Sequence, residues 1–255
     1  MMVKLPNKAK MTDNDRQKFV EMSLGDHLEE LRARIILALL GLVAGLVISL
    51  FYSKFFLMLL TKPYLDVQQQ INLPATLQAI TLSEKFMIYM KTALLFGLLF
   101  SSPWVFYQLW KFISAGLYAS EKKFIHIISP ICALLFSSGA LFFLFIISPL
   151  MIRFFIGFDP GIKSIETRVT ISSYVSFMLL MMLVFGLCFQ MPVAIVAANK
   201  IGIVSAENLK KSRKYVLIGI FIVAAVVTPS ADMISQIALA VPMYILYELG
   251  ILFCR

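Results

Sequence analysis

Residues 102–123 read SPWVFYQLWKFISAGLYASEKK. It begins inside an apolar run, continues through two tryptophans and two tyrosines, and ends with one acid beside two lysines. Tryptophan and tyrosine favour the membrane interface because each joins an apolar ring to a polar group. The stretch therefore predicts a helix that leaves a lipid bilayer.

Composition indicates the same class of protein. The chain has 255 residues, of which 60% are hydrophobic and 15% charged, and its mean hydropathy is +0.87; a soluble domain carries about 25% charged residues. The net charge of +9 does not indicate nucleic-acid binding, because the lysines and arginines lie in the gaps between apolar runs. We therefore predict an integral membrane protein whose basic residues report its orientation in the lipid bilayer.

The cysteines and histidines indicate neither a metal centre nor an enzyme. Cys132, Cys188 and Cys254 are odd in number, and no Cys-x-x-Cys motif accompanies them, so we expect no disulfide framework, metal site or other cofactor. His27 and His126 are isolated, and the chain contains no His-Glu-x-x-His or Gly-x-Ser-x-Gly motif. An intramembrane enzyme with catalytic residues is therefore a poor alternative.

The apolar runs predict an all-α integral membrane protein with six transmembrane helices. They lie at about residues 35–53, 86–110, 124–152, 170–198, 215–230 and 233–253. Residues 1–22 are polar and predict a cytoplasmic tail, which leaves residues 23–255 as a single membrane domain. No small-x-small cleavage site closes the first run, so we expect a retained span. Residues 54–85 are polar and predict a long loop.

The last two spans are predicted to be short. Only 17 residues separate Lys214 from Asp232, and only 15 separate Asp232 from Glu248. At about 1.5 Å per residue these segments reach roughly 26 and 23 Å, against a hydrocarbon core of about 30 Å. We therefore expect this end of the bundle to thin the bilayer or to keep Asp232 and Glu248 in a wet interface.

The distribution of lysine and arginine predicts the orientation. Residues 1–34, 111–123, 199–214 and the C-terminal residue hold 16 of them, whereas the opposite loops, 54–85 and 153–168, hold 6. Because basic residues accumulate on the cytoplasmic side, both termini are expected to be cytoplasmic.

The segment before the first span predicts a short amphipathic helix at the membrane surface. Asp26 and Glu29 fit an N-cap and its partner three residues later. Leu28 and Leu31 repeat on one side of such a helix. Glu30 points away from this leucine stripe, toward water.

Seven motifs resemble those of the twin-arginine translocase subunit TatC. They are HLxELR at 27–32, PxxxYQxWxFI at 103–113, LYxxE at 117–121, FGxxFxxPV at 185–193, RxY at 213–215, TP at 228–229 and QxxLAxPMYxLYE at 236–248. The resemblance covers about residues 23–253 in order, and the motifs fall at the edges of predicted spans. It implies a cup-shaped bundle of six helices.

The resemblance also implies a function. TatC proteins are core receptors that take folded proteins across the bacterial plasma (inner) membrane, driven by the proton-motive force. They recognise signal peptides with consecutive arginines and assemble with single-span partners of the TatA and TatB type. Six helices, each about 10 Å across, cannot enclose a lumen wide enough for a folded protein. We therefore expect a docking platform within an oligomeric complex rather than a pore.

The resemblance places signal-peptide binding at two acids. By motif match the family's signal-contacting acids correspond to Glu30 and Glu121, and Arg32 and Tyr118 lie in the same two motifs. Guanidinium groups bind carboxylates in a bidentate geometry that lysine cannot reproduce. Each charged hydrogen bond contributes about 1.5 to 3 kcal/mol, so the apolar segment of the peptide must supply the rest of the affinity.

Both acids also have a simpler interpretation. Glu30 could form an ordinary ion pair with Arg34, four residues on, worth about 0.2 to 0.5 kcal/mol. Glu121 could be a solvated loop acid neutralised by Lys122 and Lys123. The resemblance favours the functional interpretation of both.

Two positions depart from the family's usual residues. Gln190 stands where many relatives carry a glutamate that is implied to meet a partner helix, and with Pro192 it is our predicted partner contact. The alternative is a polar residue satisfied inside the bundle, at a carbonyl freed by Pro192. Ala115 stands where the family usually has proline, so Gly116 is expected to make the turn.

The main rival function is a secondary transporter of a small solute. Such a protein should show repeated halves, broken helices and charges near the bilayer midplane. The chain shows no internal repeat, and the polar residues at the middle of its spans amount to little more than Gln190. This alternative is therefore disfavoured.

Overall fold

The computed structural model describes residues 24–70, 76–115, 122–157, 169–200, 202–228 and 233–254, and these are predominantly helical. In chain order the helices are α1 Leu24–Phe51, α2 Ser53–Gln70, α3 Glu84–Ala115, α4 Lys122–Phe142, the π-helical segment Phe143–Ile147, α5 Ser148–Gly157, α6 Ile171–Cys188, α7 Met191–Lys200, α8 Ala206–Lys211, α9 Arg213–Val227 and α10 Met233–Phe253. The predicted all-α class is confirmed. The tail at 1–22 lies outside the described residues.

Five segments of the described chain are long and apolar enough to cross a membrane. They are Glu29–Phe51, Glu84–Phe112, Ile128–Gly157, Ile171–Lys200 and Met233–Phe253. The chain is therefore a multi-pass membrane protein. The remaining predicted span, at 215–230, forms α9, which has 15 residues and reaches only about 22 Å. That α9 crosses the membrane remains a prediction.

The last helix has the bounds predicted for the sixth apolar run, 233–253. α10 has 21 residues and reaches about 31 Å, so Glu248 lies within the helix, just over one turn before its end. Arg213 Nη2 donates a hydrogen bond to Glu248 Oε2 at 2.7 Å, so this charge is paired near the helix end. The expectation of a short span therefore fails for α10 as a helix, although only 15 residues separate Asp232 from Glu248; α9 is short.

The predicted loop at 54–85 is also wrong, because α2 occupies its first half. Phe56, Leu60 and Val67 are buried along one side of α2, at helical spacing. The Phe56 ring stacks on Phe96 of α3 at a centroid distance of 4.2 Å. The polar residues of α2 obscured this apolar stripe in the sequence.

α1 and α3 pack antiparallel through small residues. A Cβ atom built on Gly45 would lie 2.6 Å from the Gly97 carbonyl oxygen, and one built on Gly97 would lie 2.8 Å from the Leu46 Cα. One α-helical turn before Gly45, Gly41 meets the Trp104 indole ring so closely that a Cβ would overlap it. Such small-residue spacings let membrane helices approach closely, and this seam fixes how α1 lies on α3.

The third span changes helix type before a proline. α4 passes into the π-helical segment Phe143–Ile147, and α5 begins at Ser148. Pro149 follows directly and has no backbone N–H with which to continue the regular hydrogen-bond ladder. A π turn is a common way to accommodate such an interruption, and Phe143, Leu144 and Ile147 stay buried within it.

The connection before α3 is tied to the start of α6. Gln78 and Thr170 form an isolated parallel β-bridge. Glu84 is buried, and its Oε2 accepts hydrogen bonds from the backbone N–H groups of Ile80 at 2.7 Å and Thr81 at 3.2 Å. Its Oε1 accepts from the Ser172 N–H at 2.9 Å. One carboxylate therefore joins two connections that are far apart in the sequence.

Candidate functional site

Glu30, the first predicted signal-peptide acid, lies in the first turns of α1 and is paired within the helix. Arg34 Nη2 donates to Glu30 Oε1 at 3.0 Å, and the two side chains are only 20% and 21% exposed. The expectation that Glu30 points toward water is thus wrong, because the carboxylate reaches forward along α1 to meet Arg34 and is mostly buried. The intrahelical ion pair predicted as the simpler interpretation is present.

This ion pair leaves part of each group unsatisfied. Glu30 Oε2 and Arg34 Nε are buried, and neither has a hydrogen-bond partner among the described residues. Buried polar atoms are normally hydrogen-bonded, and an unpaired one is unfavourable. Glu30 therefore keeps one carboxylate oxygen for a further donor while the other oxygen stays bound to Arg34.

The register of α1 on α3 places Glu30 level with the end of α3. Trp104 Nε1 donates to the Leu37 carbonyl at 2.8 Å, and its ring covers Gly41. In an antiparallel pair, a step toward the start of one helix matches a step toward the end of the other. Glu30 precedes Gly41 by 11 residues, and Ala115, the last residue of α3, follows Trp104 by 11.

The other predicted signal-peptide residues are placed as follows. Arg32 is exposed and, two residues from Glu30, lies about 200° around α1 from it, so the structure does not bring these two side chains to one face. Tyr118 and Glu121 lie outside the described residues, as does Gly116. α4 begins at Lys122, directly after Glu121.

The two tryptophans of residues 102–123 do more than mark the membrane interface. Trp104 binds the Leu37 carbonyl of α1, as above, and Trp110 Nε1 donates to Cys132 Sγ of α4 at 3.2 Å. A buried indole N–H usually finds such a partner. The stretch therefore ties α3 to both neighbouring helices, which the sequence alone did not reveal.

Gln190, the predicted partner contact, lies at a break in the fourth span. α6 ends at Cys188 and α7 begins at Met191. Gln190 Nε2 donates to the Cys132 carbonyl of α4 at 2.9 Å, whereas the carbonyl freed by Pro192 would be that of Cys188. Gln190 Oε1 is buried without a partner in the described part of the chain. The amide is thus half satisfied inside the bundle. Its acceptor lies on α4, and not at the end of α6 as expected.

Pro192 lies inside the bundle rather than on its surface. It is buried at the start of α7, and a Cβ built on Gly250 of α10 would lie 3.2 Å from its Cα. Because proline cannot donate to the helix ladder, Pro192 keeps the span broken at Gln190. Its own contact is with α10.

Two hydrogen bonds tie the motif residues near the end of α10 to the segment around α8 and α9. Besides the pair between Arg213 and Glu248, Tyr247 Oη donates to the Leu209 carbonyl at 2.7 Å. A cavity of about 350 Å³ lies beside the pair. Cys254 also lines it, and burial raises the pKa of its thiol. No three His, Cys, Asp or Glu side chains of the described ranges are grouped so that they could hold a metal ion.

Comparison with known proteins decides the family. The family model for the Sec-independent protein translocase protein TatC matches residues 26–242. The chain belongs to the TatC family. The TatC protein of Carboxydothermus hydrogenoformans is 37% identical over 234 residues, which cover 92% of this chain and 93% of that protein. TatC of Escherichia coli strain K12 is 33% identical over 229 residues, or 90% and 86% of the two chains.

Solved structures agree with the TatC assignment. A crystal structure of the twin arginine translocase receptor TatC in DDM matches with a TM-score of 0.79 and 30% identity, over 90% of this chain and 99% of that chain. A second crystal structure of the TatC receptor gives a TM-score of 0.76 at 31% identity, over 89% and 97% of the two chains. The resemblance found in the sequence motifs is therefore confirmed.

Membership of the TatC family sets the broad function. The chain is a multi-pass membrane component of a Sec-independent protein translocase. This is a role in protein transport rather than in catalysis, and it does not favour the secondary transporter of a small solute.

Proposed function

We propose that the chain is the core receptor of a twin-arginine translocase in the bacterial plasma (inner) membrane. It binds Arg-Arg signal peptides on the cytoplasmic face and assembles with TatA- and TatB-type single-span partners into an oligomeric complex. The complex moves folded proteins across the membrane with the proton-motive force. The observation that carries this proposal is the half-satisfied Glu30 carboxylate, level with the end of α3.

The proposed peptide site comprises Glu30, Glu121 and Tyr118, and Arg32 flanks it from the other side of α1. Glu121 follows Ala115 by six residues, and at no more than about 3.6 Å per residue it lies within about 22 Å of the end of α3. Glu30 is level with that same end. Chain length thus allows a single short peptide to reach both acids at this end of the bundle.

The chemistry of Glu30 suits an arginine ligand. Its Oε1 is bound to Arg34 and its Oε2 has no described donor. An arginine can bind Oε2 while Arg34 keeps Oε1, or it can replace Arg34 and bind both oxygens. A charged hydrogen bond contributes about 1.5 to 3 kcal/mol, so an arginine that binds Oε2 adds a contact without breaking the pair with Arg34.

The proposed topology is N-in and C-in. It requires α9 to cross as a sixth span in a single membrane domain at 23–255, with 1–22 as a cytoplasmic tail. The distribution of lysine and arginine supports this orientation. Since α9 reaches only about 22 Å, the bilayer must be thin where α9 crosses, at the rim of a cup-shaped bundle.

The proposed partner contact is at the break of the fourth span. Gln190 Oε1 is a buried acceptor without a described donor, and a polar side chain of a partner helix would supply one. Pro192 contributes indirectly, because it prevents α6 and α7 from forming one continuous helix. Glutamine has no charge, so contact at this position does not need a titrating group.

A reporter assay tests the receptor function. Inner-membrane vesicles that contain the chain and its single-span partners are given a folded reporter with an Arg-Arg or a Lys-Lys signal peptide. We expect export of the Arg-Arg reporter only, because lysine cannot form the bidentate contact with a carboxylate. Equal export of both reporters, or of neither, would overturn the proposal.

A further inference from the structure

A lysine and a serine meet at one end of an apolar groove on the bundle. Lys91 Nζ of α3 donates to Ser176 Oγ of α6 at 3.0 Å. The groove has a volume of about 390 Å³ and is otherwise lined by leucines of α1, α3 and α6, among them Leu42, Leu98 and Leu183. It therefore has one polar end and one long apolar wall.

The polar end lies near the edge of the hydrocarbon core. Lys91 is seven residues from the midpoint of the span Glu84–Phe112, or about 10 Å along the helix. Ser176 is close to ten residues from the midpoint of the span Ile171–Lys200, or about 14 Å. Half of the hydrocarbon core is about 15 Å, and a lysine stem extends outward from such a depth. The ammonium group, held on Ser176, thus reaches the edge of the hydrocarbon core, where a lipid headgroup can meet it.

The charge of Lys91 has no counter-ion in the described part of the chain. Its hydrogen-bond partner there is the neutral Ser176 hydroxyl. The nearest acid on the same helix, Glu84, is already satisfied by three backbone N–H groups. A cation at this depth is unfavourable unless an anion or water accompanies it. An anionic group beside Ser176 would therefore stabilise the charge of Lys91.

The size of the groove suits an acyl chain better than a helix. A methylene group is about the size of a water molecule, which occupies about 30 Å³, so 390 Å³ matches a chain of roughly a dozen carbons. A helix about 10 Å across would displace roughly 800 Å³ over the seven residues from Lys91 to Leu98. The groove holds about half of that volume.

We propose that this groove binds an anionic phospholipid of the non-cytoplasmic leaflet, with its phosphate on Lys91 and Ser176 and one acyl chain along the leucines. The Lys91 ammonium donates to a phosphate oxygen, and the Ser176 hydroxyl can donate to a second one while it still accepts from Lys91. The leaflet follows from the proposed topology. The binding chemistry does not depend on signal-peptide recognition.

Lipid titration tests the charged end of the site. The full chain in detergent is titrated with phosphatidylglycerol or phosphatidylcholine, and bound lipid is counted by native mass spectrometry. We expect Lys91→Gln to weaken phosphatidylglycerol binding about fivefold, the effect of one basic residue near an anionic lipid. Lys91→Arg should retain binding. Lys85→Gln is the matched control, because Lys85 is exposed on the same helix and does not line the groove.

A second variant tests the apolar part. Leu98→Trp should fill the groove and weaken phosphatidylglycerol binding while it leaves Lys91 in place. Equal binding of the two lipids by the unaltered chain would overturn the proposal, as would equal losses in Lys91→Gln and Lys85→Gln. If Lys91→Gln instead releases a single-span partner and leaves lipid binding unchanged, the groove holds a partner helix and the lipid proposal is wrong.

Discussion

Arg34 and Glu30 form an ion pair across one turn of α1, with 3.0 Å between Arg34 Nη2 and Glu30 Oε1. In the proposed site this pair places an internal arginine where a peptide arginine would bind. Arg34 therefore both orients the carboxylate and competes for it.

Arg34→Gln should tighten the binding of a twin-arginine peptide. The substitution removes the internal competitor, whose ion pair is worth about 0.2 to 0.5 kcal/mol, so affinity should rise up to about twofold at low salt. Fluorescence anisotropy with a labelled peptide measures the change. A large loss of affinity would mean that Arg34 supports the site rather than competes for it.

Glu30→Gln and Glu121→Gln should each weaken peptide binding. Loss of one charged hydrogen bond, about 1.5 to 3 kcal/mol, corresponds to roughly a 10- to 150-fold lower affinity. Glu29→Gln is the matched control, because Glu29 is an exposed acid next to Glu30. Peptide titrations with folded protein in detergent give the affinities. If both variants bind as tightly as the control, these acids are not part of the site.

Gly45→Ala should destabilise the packing of α1 on α3. The new Cβ would lie 2.6 Å from the Gly97 carbonyl oxygen, and overpacking of this kind costs about 1 to 3 kcal/mol. Gly219→Ala on α9 is the control, since nothing lies within 4 Å of a Cβ there. Thermal unfolding in detergent should show a lower midpoint for Gly45→Ala alone. Equal midpoints would contradict the close seam.

Gln190→Leu should weaken both the bundle and the partner contact. It removes the donor to the Cys132 carbonyl, which contributes about 0.5 to 1.5 kcal/mol, and the proposed acceptor for a partner helix. We expect a lower unfolding midpoint and less co-purified partner. A photo-crosslinker at position 190 should form an adduct with a co-expressed partner helix. An active complex without any adduct would count against the contact.

The sequence predicted the features that depend on local composition. The aromatic residues around Trp104 and Trp110 marked the end of a span, and the motif spacing indicated the family before any comparison. The sequence failed where distant residues decide the outcome. Nothing near Glu248 shows that Arg213, 35 residues away, pairs with it.

Two further predictions from the sequence, for Gln190 and for α2, also failed because distant residues decide the outcome. The acceptor for Gln190 is the Cys132 carbonyl, 58 residues earlier in the chain, so local reasoning assigned it to the nearest broken turn. α2 was taken for a loop because it contains Pro63 and three consecutive glutamines at 68–70, although most of its other residues are apolar. Periodicity there was a better guide than average polarity, since only one side of α2 is buried.

Glu84 has a consequence for the order in which the chain assembles during synthesis. The seam between α1 and α3 can form as soon as both helices are in the membrane. The Glu84 carboxylate, in contrast, waits for the Ser172 amide, 88 residues later. Until the ribosome has delivered the start of α6, one oxygen of this carboxylate has no amide to bind. The hydrogen bond between Ser172 and Glu84 therefore forms only after the third span has been made, while α9 and α10 are still to come.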